Sequence, residues 1–273
     1  PIYNEKYVTK RLINSVCDLD YPKEKLCIMV LDDSDDNTTE QIAELVENYK
    51  GKGFDISHVR RGTRQGYKAG ALKYAMKYTK SEFVAIFDAD FIPPKWYLKK
   101  AIPYFAKPNI GFVQCRWGHV NENYSALTQA QALSLDFHFL VEQRAKSNSH
   151  LFMNFNGTAG IWRKECIEDS GGWHTATLVE DLDLSYRAQM KGWKCLFIPD
   201  IVVNAELPVQ MNGAKRQQFR WAKGSIQCAI KLLGGILLKR KITIDAKLQA
   251  FVQLTRHIVF PLMLIQFLAL PIL

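Results

Sequence analysis

Several common protein classes are excluded by what this sequence of 273 residues lacks. Its six cysteines include no C-x-x-C pair, which excludes zinc ribbons and thioredoxin-type redox sites, and we expect all six to be reduced core residues. No G-x-x-x-x-G-K-[ST] segment is present, so a P-loop is excluded. Glycine and proline are not enriched and no stretch repeats, which excludes collagen-like and low-complexity chains.

Acidic residues are outnumbered by basic ones, 27 against 36, and the formal net charge is +9. Such an excess is typical of proteins that meet nucleic acid, a membrane surface or phosphorylated substrates, although a lysine-rich solvated surface produces it as well. No compact basic block or nucleic-acid-binding signature occurs. We therefore expect phosphorylated substrates and lipid as partners, and no nucleic acid.

Charged side chains are also missing from residues 257–273, where no Asp, Glu, Lys or Arg occurs. A membrane span needs about 20 apolar residues, and this run continues to the last residue, so we expect the start of a transmembrane helix; a buried core helix is the alternative. The preceding Ser225–Lys239 combines an apolar face with lysines, which is typical of an interfacial helix. An amphipathic helix packed on the domain is the alternative there.

Apolar runs alternate with helical spacing through the first two thirds of the chain. Leu26–Leu31 and Phe83–Phe87 have the unbroken apolar character of buried parallel strands. Thr38–Tyr49 has helical spacing. Further helices are predicted at Tyr67–Tyr78, Ser125–Arg144 and Asp181–Lys191, and further strands at Ile56–Val59, Gly111–Arg116 and Lys194–Pro199. The alternation predicts an α/β domain with a mostly parallel sheet and helices on both faces.

Carboxylates follow two of these strands. Ligand sites in open α/β sheets lie outside the carboxyl ends of the strands. Asp88 and Asp90 come directly after Phe83–Phe87, where a carboxylate pair can hold Mg²⁺ or Mn²⁺ while phosphates fill the other positions. Asp33 follows Leu26–Leu31, where a carboxylate can bond a ribose or a base. A helix cap or a turn is the alternative for the Asp88–Asp90 pair.

Three further segments carry candidate residues. Lys68 lies where a glycine-punctuated loop enters a helix, a place that suits a diphosphate, unless it is a surface lysine. Asp181 opens a helix and is a candidate general base, or a charge that favours the helix N-terminus. Residues 156–160 read NGTAG, which permits close approach of backbone to a ligand or forms a tight turn.

A polar and aromatic group follows near the start of the last third. Arg220 can clamp phosphate oxygens, Gln217 can bond sugar or phosphate, and Trp221 offers a flat apolar face to a sugar ring. A core tryptophan flanked by surface polar residues is the alternative.

Taken together and in this order, the motifs resemble the inverting family 2 glycosyltransferases, specifically the cellulose-synthase-like, glucomannan-synthase-like membrane branch. The motifs are PIYNE at 1–5, DDSDD at 32–36, GYKAGALK at 66–73, DAD at 88–90, DFHFLVEQ at 136–143, NGTAGIWR at 156–163, VEDLDLSYR at 179–187 and QQFRW at 217–221.

The resemblance implies a GT-A fold, Rossmann-like, over residues 1–205, with a first strand that is truncated before Pro1. It implies a QxxRW segment with interfacial helices over 206–256 and the start of a transmembrane segment over 257–273. The full-length protein would then be a multi-pass membrane protein with a cytosolic catalytic domain.

It also implies roles for individual residues. These are donor binding for Asp33, Lys68, Asp88, Gln217 and Arg220, metal binding for Asp88 and Asp90, general base for Asp181, and acceptor binding for Gly157, Thr158 and Trp221. The expected cofactor is Mg²⁺ or Mn²⁺.

The expected reaction is transfer of a hexose from GDP-mannose or UDP-glucose to a growing β-linked polysaccharide at the membrane. A single displacement at the anomeric carbon converts an α-linked donor into a β-linkage. One alternative is a non-processive enzyme that makes a glycolipid. A second is an inactive membrane subunit that binds nucleotide sugar or glycan.

Overall fold

A computed structural model describes residues 1–270, so the last three residues of the predicted transmembrane start lie outside the described part. The strands are β1 Cys27–Leu31, β2 Asp55–Val59, β3 Phe83–Ile86, β4 Ile110–His119, β5 Gly160–Arg163 and β6 Lys194–Ala205. The first helices are α1 Thr9–Cys17, α2 Thr38–Gly51, α3 Tyr67–Met76, α4 Tyr97–Ala101, α5 Ala126–Asp136 and α6 Arg144–Asn148. The later ones are α7 Lys164–Asp169, α8 Glu180–Lys191, α9 Met211–Leu238, α10 Ile244–Thr255 and α11 Val259–Ala269.

The strands form two sheets. β1 and β2 pair in parallel, and the second sheet has the order β3-β5-β4-β6. In that sheet β4 and β6 are parallel, whereas β5 is antiparallel to both β3 and β4. The predicted α/β architecture is confirmed, with three of these four strands running in one direction and the short β5 reversed between them.

Helices cover both faces of the larger sheet, as predicted. On one face, Phe112 of β4 and Trp162 of β5 are fully buried beneath α3 and α8, with their ring centroids 4.5 Å apart. On the other face, Tyr97 and Ala101 of α4 are fully buried in a second cluster with Ile161 of β5. Burial of large apolar side chains on both faces holds the strand ends, and therefore the site described below, in a fixed arrangement.

Two elements of the structure differ in extent from those predicted from the sequence. Strand β6 does not stop at Pro199 but continues to Ala205, because residues 199–201 bulge out between the pairs Cys115–Ile198 and Arg116–Val202. A proline is tolerated there because a bulge needs no ladder hydrogen bond. The predicted single helix Ser125–Arg144 is interrupted by a π-helix over Phe137–Gln143 between α5 and α6.

The segment Ser225–Lys239 forms the second half of α9 and packs on the domain. Cys228 and Ile236 are fully buried against α8 and α10. Lys231 Nζ lies 2.6 Å from the buried Asp183 carboxylate of α8, so this lysine faces inward. The neighbouring Ile230 remains 82% exposed.

Apolar side chains dominate the surface of the C-terminal helices. The stretch Ile244–Ala269, which includes α10 and α11, is long and apolar enough to cross a membrane, and only 11% of its apolar 18-residue window is buried. Ile244, Leu248 and Phe251 of α10 are exposed. The described part of the predicted transmembrane start is thus helical from Val259 to Ala269.

All six cysteines are free thiols. The prediction that all are core residues is wrong for Cys27, which is exposed at the start of β1, and Cys195 is only partly buried.

Candidate active site

The antiparallel pairing of β3 with β5 places two predicted motifs against each other. Ile86 pairs with Gly160, so the DAD segment after β3 lies beside the NGTAG segment before β5. The backbone N–H of Asp88 donates to Thr158 Oγ1 at 2.9 Å. The order of the strands therefore joins residues that are separated by 70 positions in the sequence.

Lys68 connects these two segments. Its Nζ lies 2.5 Å from Asp88 Oδ1 and donates to the carbonyl oxygen of Gly157 at 3.0 Å. The lysine lies in the first turn of α3, which begins after Gly66 in the left-handed conformation, with φ of 72°. Burial lowers the pKa of Lys68, but Asp88 and Glu180 more than offset this and raise it above the usual value. Lys68 is therefore a fixed positive charge in the site.

Asp181 approaches the same group from the N-terminus of α8. A Cβ added to Gly157 would lie 3.0 Å from Asp181 Oδ2 and 3.3 Å from Lys68 Nζ, and Gly157 has φ of 83°. The backbone conformation therefore favours glycine here, and an added Cβ would press on Asp181 and Lys68. Burial and repulsion from Glu180 raise the pKa of Asp181 to about 7, against an opposing effect of Lys68. A carboxylate with this pKa is suited to accept a proton at neutral pH.

Asp90 is the second carboxylate of the DAD motif. Burial and repulsion from Asp88 raise its pKa to about 7. Two carboxylates that repel each other in a desolvated site provide the hard oxygen ligands that Mg²⁺ and Mn²⁺ prefer, so these residues fit a divalent cation. No group of three or more metal-binding side chains is present in residues 1–270, so the remaining ligands would have to come from phosphate or water.

Asp33 takes part in a separate buried ion pair. Its two carboxylate oxygens accept hydrogen bonds from Arg61 Nε at 2.8 Å and from Arg61 Nη2 at 2.5 Å. The neighbouring Asp32 accepts from Ser34 and Thr39 and contacts His58. In the described part of the chain, no hydrogen bond joins Asp33 to Lys68, Asp88 or Asp181.

The QQFRW segment lies in the first half of α9, which docks beside Asp181. Gly224 packs closely on Val179, since an added Cβ would lie 2.7 Å from the valine methyl groups. The backbone N–H of Leu178 donates to Gln227 Oε1 at 2.9 Å. The positive charge of Arg220 acts on Glu180, whose pKa burial nevertheless raises.

The predicted residues of this helix are placed as follows: Gln217 and Trp221 are partly exposed, and Arg220 is exposed. The structure thus brings Lys68, Asp88, Gly157, Thr158 and Asp181 together, with Asp90 next to them.

Sequence reasoning missed two features of this region. Arg61 is the second residue after β2, as Asp33 is the second residue after β1, and this shared position at the sheet edge could have predicted the pair. His138 and Gln143 of the π-helix contact Asn156, which precedes Gly157. Helical spacing alone gave no indication of these two contacts.

Comparison with known proteins identifies relatives of nearly the whole chain. Probable glucomannan 4-beta-mannosyltransferase 7 of Oryza sativa subsp. japonica is 43% identical over 269 residues, which cover 96% of this chain and 46% of the relative. Glucomannan 4-beta-mannosyltransferase 2 of Arabidopsis thaliana is 44% identical over 247 residues, which cover 89% of this chain and 46% of that relative. The chain therefore spans a little less than half the length of these curated relatives.

Solved structures show the same fold. The mannosyltransferase PcManGT from Pyrobaculum calidifontis, in complex with GDP-Man and Mn²⁺, matches with a TM-score of 0.74 at 24% identity, over 93% of this chain and 68% of that one. Residues 1–349 of S. aureus TarS match with a TM-score of 0.67 at 18% identity, over 94% of this chain and 69% of that one. The predicted GT-A fold is confirmed. The family described as "Glycosyltransferase like family 2" matches residues 1–224, and the chain belongs to this family.

Proposed function

We propose that this chain carries the active site of a membrane-associated inverting glycosyltransferase that moves mannose from GDP-mannose onto a growing β-linked glycan. The observation that carries the proposal is a cluster in which Lys68 binds both Asp88 and the carbonyl oxygen of Gly157, while Asp181 lies beside the same glycine. The names of the curated relatives favour mannose, and the GDP-Man bound to PcManGT favours the donor.

The proposed step is a direct displacement. Asp181 takes the proton of an acceptor hydroxyl as its oxygen bonds to the anomeric carbon, while the bond from that carbon to the diphosphate breaks. The electron pair leaves with the nucleoside diphosphate. Lys68 lies where it can stabilise the developing negative charge, because it is a permanently charged group already fixed in the site. The configuration at the anomeric carbon is inverted.

Asp88 and Asp90 would hold Mg²⁺ or Mn²⁺, which would stabilise charge on the departing diphosphate when bound. Arg220 and Gln217 would contact the same diphosphate from α9, and Trp221 would stack on the acceptor sugar. Asp33, with its carboxylate oriented by Arg61, would contact the nucleoside. Gly157 and the buried Thr158 would lie beneath the acceptor.

The membrane part of the proposal rests on the exposed apolar helices. Residues 1–205 would form the catalytic domain, 206–256 the connecting helices, and 257–273 the start of a membrane span. A cytosolic catalytic domain in a multi-pass protein would have direct access to nucleotide sugars. The excess of basic residues would favour anionic headgroups and the diphosphate of the donor.

The test uses the full-length protein in membranes with Mn²⁺ or Mg²⁺. Labelled GDP-mannose and labelled UDP-glucose are supplied separately, and the product is sized and digested with mannan and glucan hydrolases. Long mannanase-sensitive product from GDP-mannose is the expected result. A short lipid-soluble product that resists both hydrolases would instead identify a glycolipid-forming enzyme. Absence of transfer from both donors would contradict the proposal and favour an inactive binding subunit.

A further inference from the structure

The π-helix over Phe137–Gln143 directs two polar side chains at Asn156. Asn156 Oδ1 accepts from Gln143 Nε2 at 2.8 Å, and Asn156 Nδ2 lies 3.0 Å from His138 Nε2. The backbone N–H of Asn156 donates to Gln114 Oε1 at 2.8 Å. The side chain and backbone of Asn156 are therefore fixed from three directions. π-Helical turns are often found at functional sites.

The geometry defines the protonation of His138. Its Nε2 accepts from the Asn156 amide, so its hydrogen lies on Nδ1, which is 2.8 Å from Glu142 Oε2. Burial lowers the pKa of His138, which keeps the imidazole neutral and leaves Nε2 free to accept. The hydrogen bond from His138 and the charge of Lys146 lower the pKa of Glu142 to about 2. Glu142 is therefore a permanent carboxylate that fixes the orientation of the ring.

The same carboxylate connects to α10. Lys146 is 7% exposed, lies 3.6 Å from Glu142 Oε2, and donates to Gln253 Oε1 at 2.6 Å. Arg256, just beyond α10, lies 4.0 Å from Glu142. Gln253 and Arg256 belong to the stretch that is long and apolar enough to cross a membrane.

These contacts form one continuous polar chain from α10 to the active site. Asn156 precedes Gly157, whose carbonyl oxygen accepts from Lys68 and whose Cα lies against Asp181. Loss of the contacts that hold Asn156 would let its backbone shift, and this shift would move that carbonyl. Misplacement of reacting groups by about 1 Å can reduce a rate on the order of a hundredfold.

We infer that His138 is a positioning residue, which holds the Asn156–Thr158 backbone against Lys68 and Asp181 and links it through Glu142 and Lys146 to Gln253 of α10. His138 contacts no reacting atom itself. The inference deepens the proposed function, on which its kinetic readout rests.

Two substitutions of His138 test separately its acceptor at Nε2, which contacts Asn156, and its donor at Nδ1, which contacts Glu142. His138→Gln places a carbonyl oxygen near the position of Nε2 and keeps an acceptor for Asn156. His138→Asn places an amide N–H near the position of Nδ1 and keeps the donor to Glu142, but it loses the acceptor. We expect His138→Asn to lower kcat on the order of tenfold or more with little change in the KM for the donor, and His138→Gln to stay within a few-fold of the wild type.

The matched control is Arg144→Gln, because Arg144 is exposed in the adjoining helix and belongs to none of these contacts. Equal losses of kcat in His138→Asn and His138→Gln, each matched by an equal loss of folded protein, would reduce His138 to a structural residue and overturn the inference.

A second measurement does not depend on turnover. Hydrogen–deuterium exchange of residues 157–160 is followed in the detergent-purified full-length protein. We expect faster exchange in His138→Asn and in Gln253→Leu, and wild-type exchange in Arg144→Gln. Wild-type exchange in Gln253→Leu would show that α10 is not linked to the site. If the wild type transfers neither sugar, the proposed function fails, but these exchange rates still decide the positioning role.

Discussion

Lys68 Nζ lies 2.5 Å from Asp88 Oδ1, and the same ammonium group donates to the carbonyl of Gly157. This lysine therefore joins the segment after β3 to the segment before β5, and Asp181 of α8 lies against the same glycine. Three elements that are far apart in the sequence thus share one electrostatic centre, and the predictions below test its parts separately.

Replacing Lys68 by Met should reduce kcat/KM for the donor by about a hundredfold or more, because a preorganised positive charge next to the leaving group is lost. Lys68→Arg should recover only part of the activity, since the ammonium group fits between Asp88 and Gly157. Lys73→Met is the control, because Lys73 is exposed on the same helix. Steady-state kinetics with labelled donor measures the effect, and wild-type activity in Lys68→Met would remove Lys68 from the mechanism.

Activity should rise as the pH increases through about 7, because the pKa of Asp181 is about 7 and only its ionised form accepts a proton. Asp181→Asn should lose a factor of about 100 or more and with it this pH dependence. Repulsion from Glu180 contributes to the raised pKa, so Glu180→Gln should move the midpoint of the profile to lower pH. A midpoint that is the same in Glu180→Gln would assign the titration to another group.

Substitution of Asp90 should have opposite effects on two properties, the stability of the metal-free protein and the binding of the metal ion. Burial and the charge of Asp88 disfavour the ionised Asp90, so Asp90→Asn should raise the melting temperature of the metal-free protein at pH 8 by about 3 °C. Mn²⁺ should stabilise the wild type in the presence of GDP, as any ligand of the folded state does, and should not stabilise Asp90→Asn. Thermal unfolding with and without a chelator measures both effects. Equal Mn²⁺ stabilisation of the two proteins would place the ion elsewhere.

The pair formed by Asp33 and Arg61 should be important for stability. The two side chains are 9% and 7% exposed, and removing one partner of a buried pair costs about 3–5 kcal/mol because the other charge is left uncompensated. We expect this loss in Arg61→Met, and a smaller one in Asp33→Leu combined with Arg61→Met. Arg144→Met is the control, because Arg144 is exposed. Denaturant unfolding of these variants and of Asp33→Leu alone gives the free energies of unfolding, and a double variant that loses as much as the two single variants together would argue against coupling.

Two aromatic residues of α9 should have different effects on the acceptor. Trp221→Ala should raise the KM for the acceptor by about tenfold, which corresponds to about 1.4 kcal/mol of lost sugar contact, with a smaller change for the donor. Phe219 is 66% exposed two residues away, and Phe219→Ala should leave both KM values unchanged. Kinetics with oligosaccharide acceptors of increasing length distinguishes the two. A larger effect on donor than on acceptor would move Trp221 to the donor side.

The strand ends could be predicted from the sequence because the carboxylates follow short apolar runs directly. This rule correctly located Asp88 and Asp90 after β3 and Asp33 after β1. The direction of β5 could not be predicted, because an apolar strand such as GIWR packs equally well in either orientation. The pairing of β5 with β3 nevertheless decides that Thr158 meets Asp88.

Ion pairs between elements that are distant in the sequence could not be predicted either. Lys231 is one of the lysines of the predicted interfacial helix Ser225–Lys239, and it pairs with Asp183, which is fully buried. The hydrophobic period of α9 predicts which face of the helix packs on the domain. It does not predict that the neighbouring helix carries a buried carboxylate. For the same reason the role of Arg61 was missed, since its partner Asp33 lies on another strand end.

The π-helix over Phe137–Gln143 restricts the number of residues in this segment more than it restricts which residues they are. Deletion of a single residue in this segment would let α5 and α6 form one regular helix. Because an α-helix turns about 100° per residue, each later side chain of that helix would then point away from its present direction. Gln143 would then leave Asn156, and Lys146 would leave Gln253. Substitutions at the exposed Leu140 and Val141 leave this phase intact. Relatives that keep these contacts should therefore vary in sequence here without any insertion or deletion.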